Sequence, residues 1–255
     1  MKTLKESIAA AMDSPGNTAI VPFLPYILQD FWEMGTSPEI VINLVRKHCK
    51  EYPSLNVLDL GCGKGAVSVK LAAALQCNCY GIDGIPEFIE ASKEKSLEYG
   101  VDTLCRFEIG DIRKKIKELE KFDVIILGAV GQVLGNYFIT LRTLSKHLAA
   151  EGIVVIDEAY IDDSSDFQHP AILRHGELLK QIAQAKMELV DAIENKPSNS
   201  AEEFKNIQKR CSELMTKYPD KKSLFESYIQ SQAMEYDILE NKVIAATMVC
   251  KKIVV

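Results

Sequence analysis

Three aspartates stand where short apolar runs give way to glycine-bearing turns. Asp59 lies inside NVLDLGCGKG, Asp83 inside YGIDG, and Asp111 inside IGDI. The first run continues into Gly61, Gly63 and Gly65. A carboxylate accepts hydrogen bonds from hydroxyls or pairs with a cation, and glycine lets a ligand approach bare backbone. A phosphate-binding loop would need G-x-x-x-x-G-K-[ST]; Gly61-Cys62-Gly63-Lys64-Gly65 fails in spacing and lacks the hydroxyl residue. The dinucleotide fingerprint G-x-G-x-x-G would need its third glycine one residue later, where Ala66 stands. Alanine is tolerated there, so a nicotinamide-dependent oxidoreductase is an alternative.

Each of these residues also has a plainer role. An acid at a strand end serves as a helix cap or a solvated turn residue. Asp59 can orient the glycine turn through backbone amides. Cys62 has no basic neighbour to activate it and reads as turn packing, and Lys64 as a solvated charge. Further along, Asp157, Glu158, Tyr160, His169 and His175 fall near predicted strand ends, but no two form a recognisable acid–base constellation. No catalytic residue is named from the sequence.

The elements that must position these residues alternate from Asn56 onward. Predicted strands cover Asn56–Leu60, Asn78–Ile82, Leu104–Ile109, Phe122–Leu127, Ile153–Asp157 and Met187–Ile193. Predicted helices cover 65–75, 86–99, 112–120, a segment ending near Leu148, and 174–185. The run 122–127 is nearly all apolar after Asp123, as a central parallel strand buried on both faces should be. Ahead of the alternation lie helices predicted at 2–12, 24–34 and from Ser37-Pro38 to a point before Pro53, the last opening on a cap and a proline. Residues 196–241 break the pattern with two amphipathic helices joined at Tyr218-Pro219-Asp220, and 243–255 reads as a last strand.

Composition narrows the partners. The chain has 255 residues, 47% of them hydrophobic, and a net charge of −6. That balance does not suggest the basic face a nucleic-acid-binding protein shows, and no nucleic-acid partner is expected. No run approaches the ~20 apolar residues of a membrane span. The seven cysteines include no C-x-x-C pair, so no structural zinc or other metal is expected. The odd count fits reduced thiols and a soluble, cytoplasmic protein.

VLDLGCGKG, taken with the acids after the second and third strands, resembles the first motif and its companions in class I S-adenosylmethionine-dependent methyltransferases. The resemblance spans about Asn56 to Asp157, with the terminal strand extending it. It implies a Rossmann-like, doubly wound α/β sheet of seven strands, parallel except for the last. It implies S-adenosyl-L-methionine as cofactor, with Asp83 on the ribose hydroxyls and Asp111 on the adenine amino group. Ile112 would supply a backbone amide and an apolar wall. Asp59 would lie near the methionine ammonium, Gly61 and Gly63 against the methionine and ribose portions, and Gly128 beside the methionine. Carboxylates and carbonyls suit a sulfonium and an ammonium better than a phosphate cradle does. Gly128-Ala129-Val130-Gly131 stands where amino-methylating enzymes of nucleic-acid bases carry Asn/Asp-Pro-Pro-aromatic. The resemblance is nearer the branch that methylates small molecules, as in quinone biosynthesis.

The expected organisation is an N-terminal helical segment at 1–54, a core at 55–195, a helical insertion at 196–241 and a final core strand at 242–255. In the family that the chain resembles, the last strand enters beside the sixth, which implies that the insertion leaves from the cofactor edge. It is expected to act as a lid, with Phe225, Tyr228 and Tyr236 facing the acceptor and Tyr26, Phe31 and Trp32 opposite. The alternative is that these aromatics pack the helices onto the core or onto a second copy in a homodimer. A binding protein that holds the cofactor without catalysis is the remaining functional alternative.

Overall fold

The computed structural model describes residues 2–195 and 200–253. Met1, residues 196–199 at the expected start of the insertion, and the two final residues of the expected last strand lie outside the described residues. In chain order the elements are α1 (Leu4–Ala11), α2 (Leu24–Ile27), α3 (Pro38–His48), β1 (Asn56–Leu60), α4 (Ala66–Leu75), β2 (Asn78–Asp83) and α5 (Pro86–Glu98). There follow β3 (Cys105–Ile109), α6 (Ile112–Lys115), β4 (Phe122–Gly128), α7 (Tyr137–Leu144), β5 (Leu148–Tyr160) and α8 (His175–Gln184). The last are β6 (Met187–Glu194), α9 (Ser200–Lys217), α10 (Lys222–Asn241) and β7 (Ile244–Lys252).

These elements form two compact units. One holds the described residues of Glu33–Asn195 and Ile244–Val255, and it carries the sheet. Strand order is β3-β2-β1-β4-β5-β7-β6, parallel throughout except for β7, which runs against both neighbours. The expected seven-stranded sheet with an inserted antiparallel last strand is therefore present. β4 lies at its centre, with Val124, Ile125, Ile126 and Leu127 all buried.

Alternation divides the side chains between two faces. Leu58, Leu60, Ile125, Leu127, Val154 and Ile156 pack against Leu141, Leu144, Leu178 and Ile182 of α7 and α8. The opposite parity puts Asp59 level with Ile126, and Ile126 level with Val155 two residues before Asp157. Asp59 and Asp157 thus point to one face, where α4 brings Ser68 to Asp59. Helix α3, expected with the N-terminal segment, belongs to this unit. Its start follows the sequence signal: Ser37 accepts from the Ile40 amide and Pro38 is the first helical residue. The expected last β5 residue, Asp157, is followed by three more strand residues, all paired with β7.

The second unit comprises the described residues of Met1–Trp32 and Lys196–Val243. Thr3 and Glu6 close a reciprocal capping box on α1. The helix expected over 24–34 is not continuous. A 3₁₀ turn covers Thr18–Phe23, and α2 ends at Ile27. Pro22 and Pro25 lack amide donors at the start. Beyond the helix, Asp30 is drawn out to a bidentate pair with Arg210 of α9, at 2.6 and 2.7 Å. The aromatic residues expected to face an acceptor form this unit's own interior. Phe225 is fully buried edge-on to Phe23, with ring centroids 5.0 Å apart. Tyr228 is buried as well, and Tyr236 packs on Phe204 and donates to Glu203. Helical aromatic stripes bury large areas, and here that burial holds α9, α10 and the N-terminal turns together.

Candidate functional site

The carboxyl ends of β1, β2 and β3 bring Asp59, Asp83 and Asp111 to one edge of the sheet, where open α/β sheets bind ligands. The glycine turn joins them. Gly61, Gly63 and Gly65 all have positive φ, at 77°, 53° and 74°. The turn is tied to β2, because the Gly61 and Cys62 amides both donate to the Ile82 carbonyl. A Cβ on Gly61 would lie 2.4 Å from Val130 Cγ1. A Cβ on Gly128 would lie 2.3 Å from Thr36 Oγ1. The loop after β4 and the segment before α3 therefore approach the backbone as closely as only glycine permits. Ala129, between Gly128 and Val130, itself sits at φ 50°.

Asp83 is buried and structurally employed. Its Oδ2 accepts from the Gly63 amide at 3.0 Å, and its Oδ1 from the Ile85 amide at 2.8 Å. Burial raises its pKa, and those backbone amides work against the rise. The Gly84 amide also faces this carboxylate, and with about four acceptor sites in all it keeps room for a ligand hydroxyl.

Asp59 is 3% exposed and accepts from Ser68 Oγ at 2.6 Å. Burial pushes its pKa up to about 6; the Ser68 hydroxyl opposes this and the nearby Asp83 charge adds to it. An ammonium placed beside this pair of acids would relieve both effects.

Asp111 caps α6, accepting from the Arg113 amide at 3.1 Å. Arg113 also grips it through Nε at 2.8 Å and Nη2 at 2.7 Å, and this hydrogen-bonded guanidinium holds its carboxyl below the ordinary value. Oδ1 thus takes two donors and Oδ2 one, leaving Oδ2 space for a single amino hydrogen. Ile112 follows at the first turn of the helix, where amides lack intrahelical acceptors, and its side chain is buried.

Several contributors carried no motif. Arg113 stands two residues after an acid at a helix start, which is the one local signal for its role. Ser68 sits in the first turn of α4 and meets Asp59 only through the fold. Ser92 of α5 donates to the Gly63 carbonyl at 3.1 Å and pins the turn from the other side. Of the acid–base candidates, Asp157 comes level with Gly128 at the same edge. Tyr160 stacks on His175 with centroids 4.6 Å apart, and His169 stacks near Phe167 on the loop between β5 and α8. These do not assemble into a proton-transfer pair. A cleft of about 210 Å³ between Asn56, Asn78 and Arg106 opens at the amino ends of the same strands, away from the acids.

The arrangement can be set beside known proteins. The model of a family described as "Methyltransferase domain" matches residues 52–244. A ribosomal protein L11 methyltransferase of Thermosipho africanus is 28% identical over 143 residues, 55% of this chain and 52% of its own. A ubiquinone biosynthesis O-methyltransferase of Rickettsia canadensis is 29% identical over 121 residues, 46% of this chain and 48% of its own. The chain thus spans about half the length of the curated relatives it matches. A SAM-dependent methyltransferase of Geobacter sulfurreducens, solved with S-adenosyl-L-homocysteine, has the same fold. It is 18% identical, with a TM-score of 0.76 over 91% of this chain and 98% of its own. With a family model covering the glycine turn, all three acids and every strand up to the start of the last, this chain belongs to that methyltransferase-domain family.

Proposed function

We propose that the protein transfers a methyl group from S-adenosyl-L-methionine to a small-molecule acceptor. The observation that carries this is the convergence of Asp59, Asp83 and Asp111 around the Gly61–Gly65 turn, with acceptor capacity left on Asp83 and Asp111. This donor set fits a cationic nucleoside: acids and glycine-exposed backbone, without a phosphate cradle.

Asp83 would hold the ribose hydroxyls while its amide contacts keep the turn closed. Asp111, fixed by Arg113, would take an adenine amino hydrogen beside the buried Ile112 side chain. Asp59 would balance the methionine ammonium, and Gly61, Gly63 and Gly128 would keep side chains off the methionine path. When bound, the sulfonium supplies an already activated methyl group. The chain's task is then alignment, which can supply much of the rate. A base matters only for an acceptor that arrives protonated. The presence of one acid at the end of β2, Asp83, and a second after β3, Asp111, disfavours the nicotinamide reading, which calls for one acid and a later third glycine.

Incubating the protein with methyl-labelled S-adenosylmethionine and a metabolite extract tests the reading. Label should move into the small-molecule fraction and fall at least tenfold with Asp83→Asn. Label confined to a protein fraction would refute the small-molecule acceptor. Tight cofactor binding with no transfer to any fraction would favour a binding protein without catalysis.

A further inference from the structure

Three buried side-chain atoms lack a hydrogen-bond partner among the described residues: Thr36 Oγ1, Asp157 Oδ2 and Asn195 Oδ1. All three belong to one cluster. Asn195 Nδ2 donates to Asp157 Oδ1 at 3.4 Å and to Thr247 Oγ1 at 3.2 Å. Asp157 and Thr247 are directly paired across β5 and β7. Thr36 packs on Gly128, which is paired with Asp157 across β4 and β5. Thr36 and Asp157 are 5% and 7% exposed. Native proteins leave few buried polar atoms unpaired, because each forfeits its hydration. Three together, at the ligand-binding edge of the sheet, form a group of polar atoms open to donors from outside the chain.

The hydrogen-bonding pattern says which donor fits. Asn195 must turn its amide nitrogen toward Asp157, since a carboxylate only accepts, so Oδ1 is left as an acceptor. Asp157 Oδ2 is a second acceptor, and the Thr36 hydroxyl can serve as a third. A primary ammonium offers three N–H donors and a charge opposite to Asp157. Water offers two donors, and an anion would face the Asp157 charge. Burial raises the Asp157 pKa; the Thr36, Asn195 and Thr247 side chains lie close enough to the carboxyl to oppose the rise, but none makes a hydrogen bond of good geometry to Oδ2.

Position selects the ligand. Across the edge, the expected adenine, ribose and methionine acids fall on β3, β2 and β1, and the cluster lies past β4 on β5, β7 and the end of β6. It is therefore on the side where a methyl acceptor would approach. We propose that Thr36, Asp157 and Asn195 form a subsite for an ammonium group carried by the methyl acceptor. This rests on the methyltransferase reading.

The test is a thermal-shift titration of the full chain with methylammonium chloride against tetramethylammonium chloride at equal ionic strength, with and without saturating S-adenosyl-L-homocysteine. Methylammonium should give a saturable rise in Tm that tetramethylammonium, having no N–H, does not give. Asp157→Asn should abolish the rise while leaving S-adenosyl-L-homocysteine affinity within twofold. Thr36→Val, which keeps the charge, should weaken methylammonium severalfold. Equal responses to both ions, or none, would overturn the proposal and leave the cluster to water. So would a tenfold loss of S-adenosyl-L-homocysteine affinity in Asp157→Asn that its des-amino analogue does not share, since the ammonium held would then be the cofactor's. If S-adenosyl-L-homocysteine does not bind at all, the methyltransferase reading fails, and the titration without it still decides the subsite.

Discussion

Replacing Asp59 with Asn should make the sheet unit more stable, and only above the acid range. Folding carries the Asp59 carboxyl from its ordinary value of 3.8 to about 6. Between those values the native state binds a proton that the unfolded chain has released. Stability therefore falls as pH rises through this window and stays level above it. A shift of that size corresponds to about 3 kcal/mol. Asn removes the charge and still accepts from Ser68 Oγ. The gain of Asp59→Asn over the parent should be near zero at pH 3.5, grow between pH 4 and 6, and level off at about 2–3 kcal/mol, the lower figure allowing for relaxation. At about 2–4 °C per kcal/mol, the unfolding midpoint at pH 8 should rise by several degrees. Comparing the two proteins by denaturant unfolding at each pH cancels most of what the other buried acids contribute. The repulsion from Asp83 is already contained in that shift. A difference that is flat from pH 4 to 8, or a variant less stable at pH 8, would refute the burial argument. The same variant should bind S-adenosyl-L-homocysteine less well, because the group that costs stability is the one expected to meet the ammonium.

Asp111→Ala should cost about 1 kcal/mol through the lost helix cap and weaken S-adenosyl-L-homocysteine roughly tenfold. Arg113→Met should spare most of the cap and cost only part of that affinity, and unchanged binding in both would remove Asp111 from the site. In the helical unit, Asp13 sits at φ 54° and burial raises its pKa to about 7, with the Glu235 charge adding to the rise. Its native pKa is raised, so the cost is absent below about pH 4 and complete above about pH 7. Asp13→Asn should therefore stabilise this unit at pH 8 by about 1–2 kcal/mol after discounting for partial exposure, and not at pH 4. Phe225→Ala should cost about 3–5 kcal/mol and leave S-adenosyl-L-homocysteine binding intact. Full stability with reduced acceptor turnover would instead restore Phe225 to an acceptor pocket.

How much of this was legible follows from how local each signal is. β4 reads directly because a central parallel strand must be apolar on both faces, and Asp83 reads because it ends such a run beside a glycine. Gly61, Gly63 and Gly65 read because their positive φ excludes most other residues. Thr36 and Asn195 gave no warning: they lie far apart in the chain and meet Asp157 only after β5, β6 and β7 pair. The aromatic stripes left two readings open because Phe225 and Tyr228 have the same periodicity whether they line a pocket or fill a helical interior. The end of the expected 24–34 helix at Ile27 was likewise invisible, and the Arg210 that pairs with Asp30 beyond it lies 180 residues away in the chain.

Calorimetric titration with S-adenosyl-L-homocysteine and, separately, with NAD tests the central claim most directly. The account predicts one site per chain for S-adenosyl-L-homocysteine, no heat from NAD, and at least tenfold weaker binding in Asp83→Asn with the fold intact by circular dichroism. Binding of NAD in place of S-adenosyl-L-homocysteine, or full affinity retained by Asp83→Asn, would contradict it.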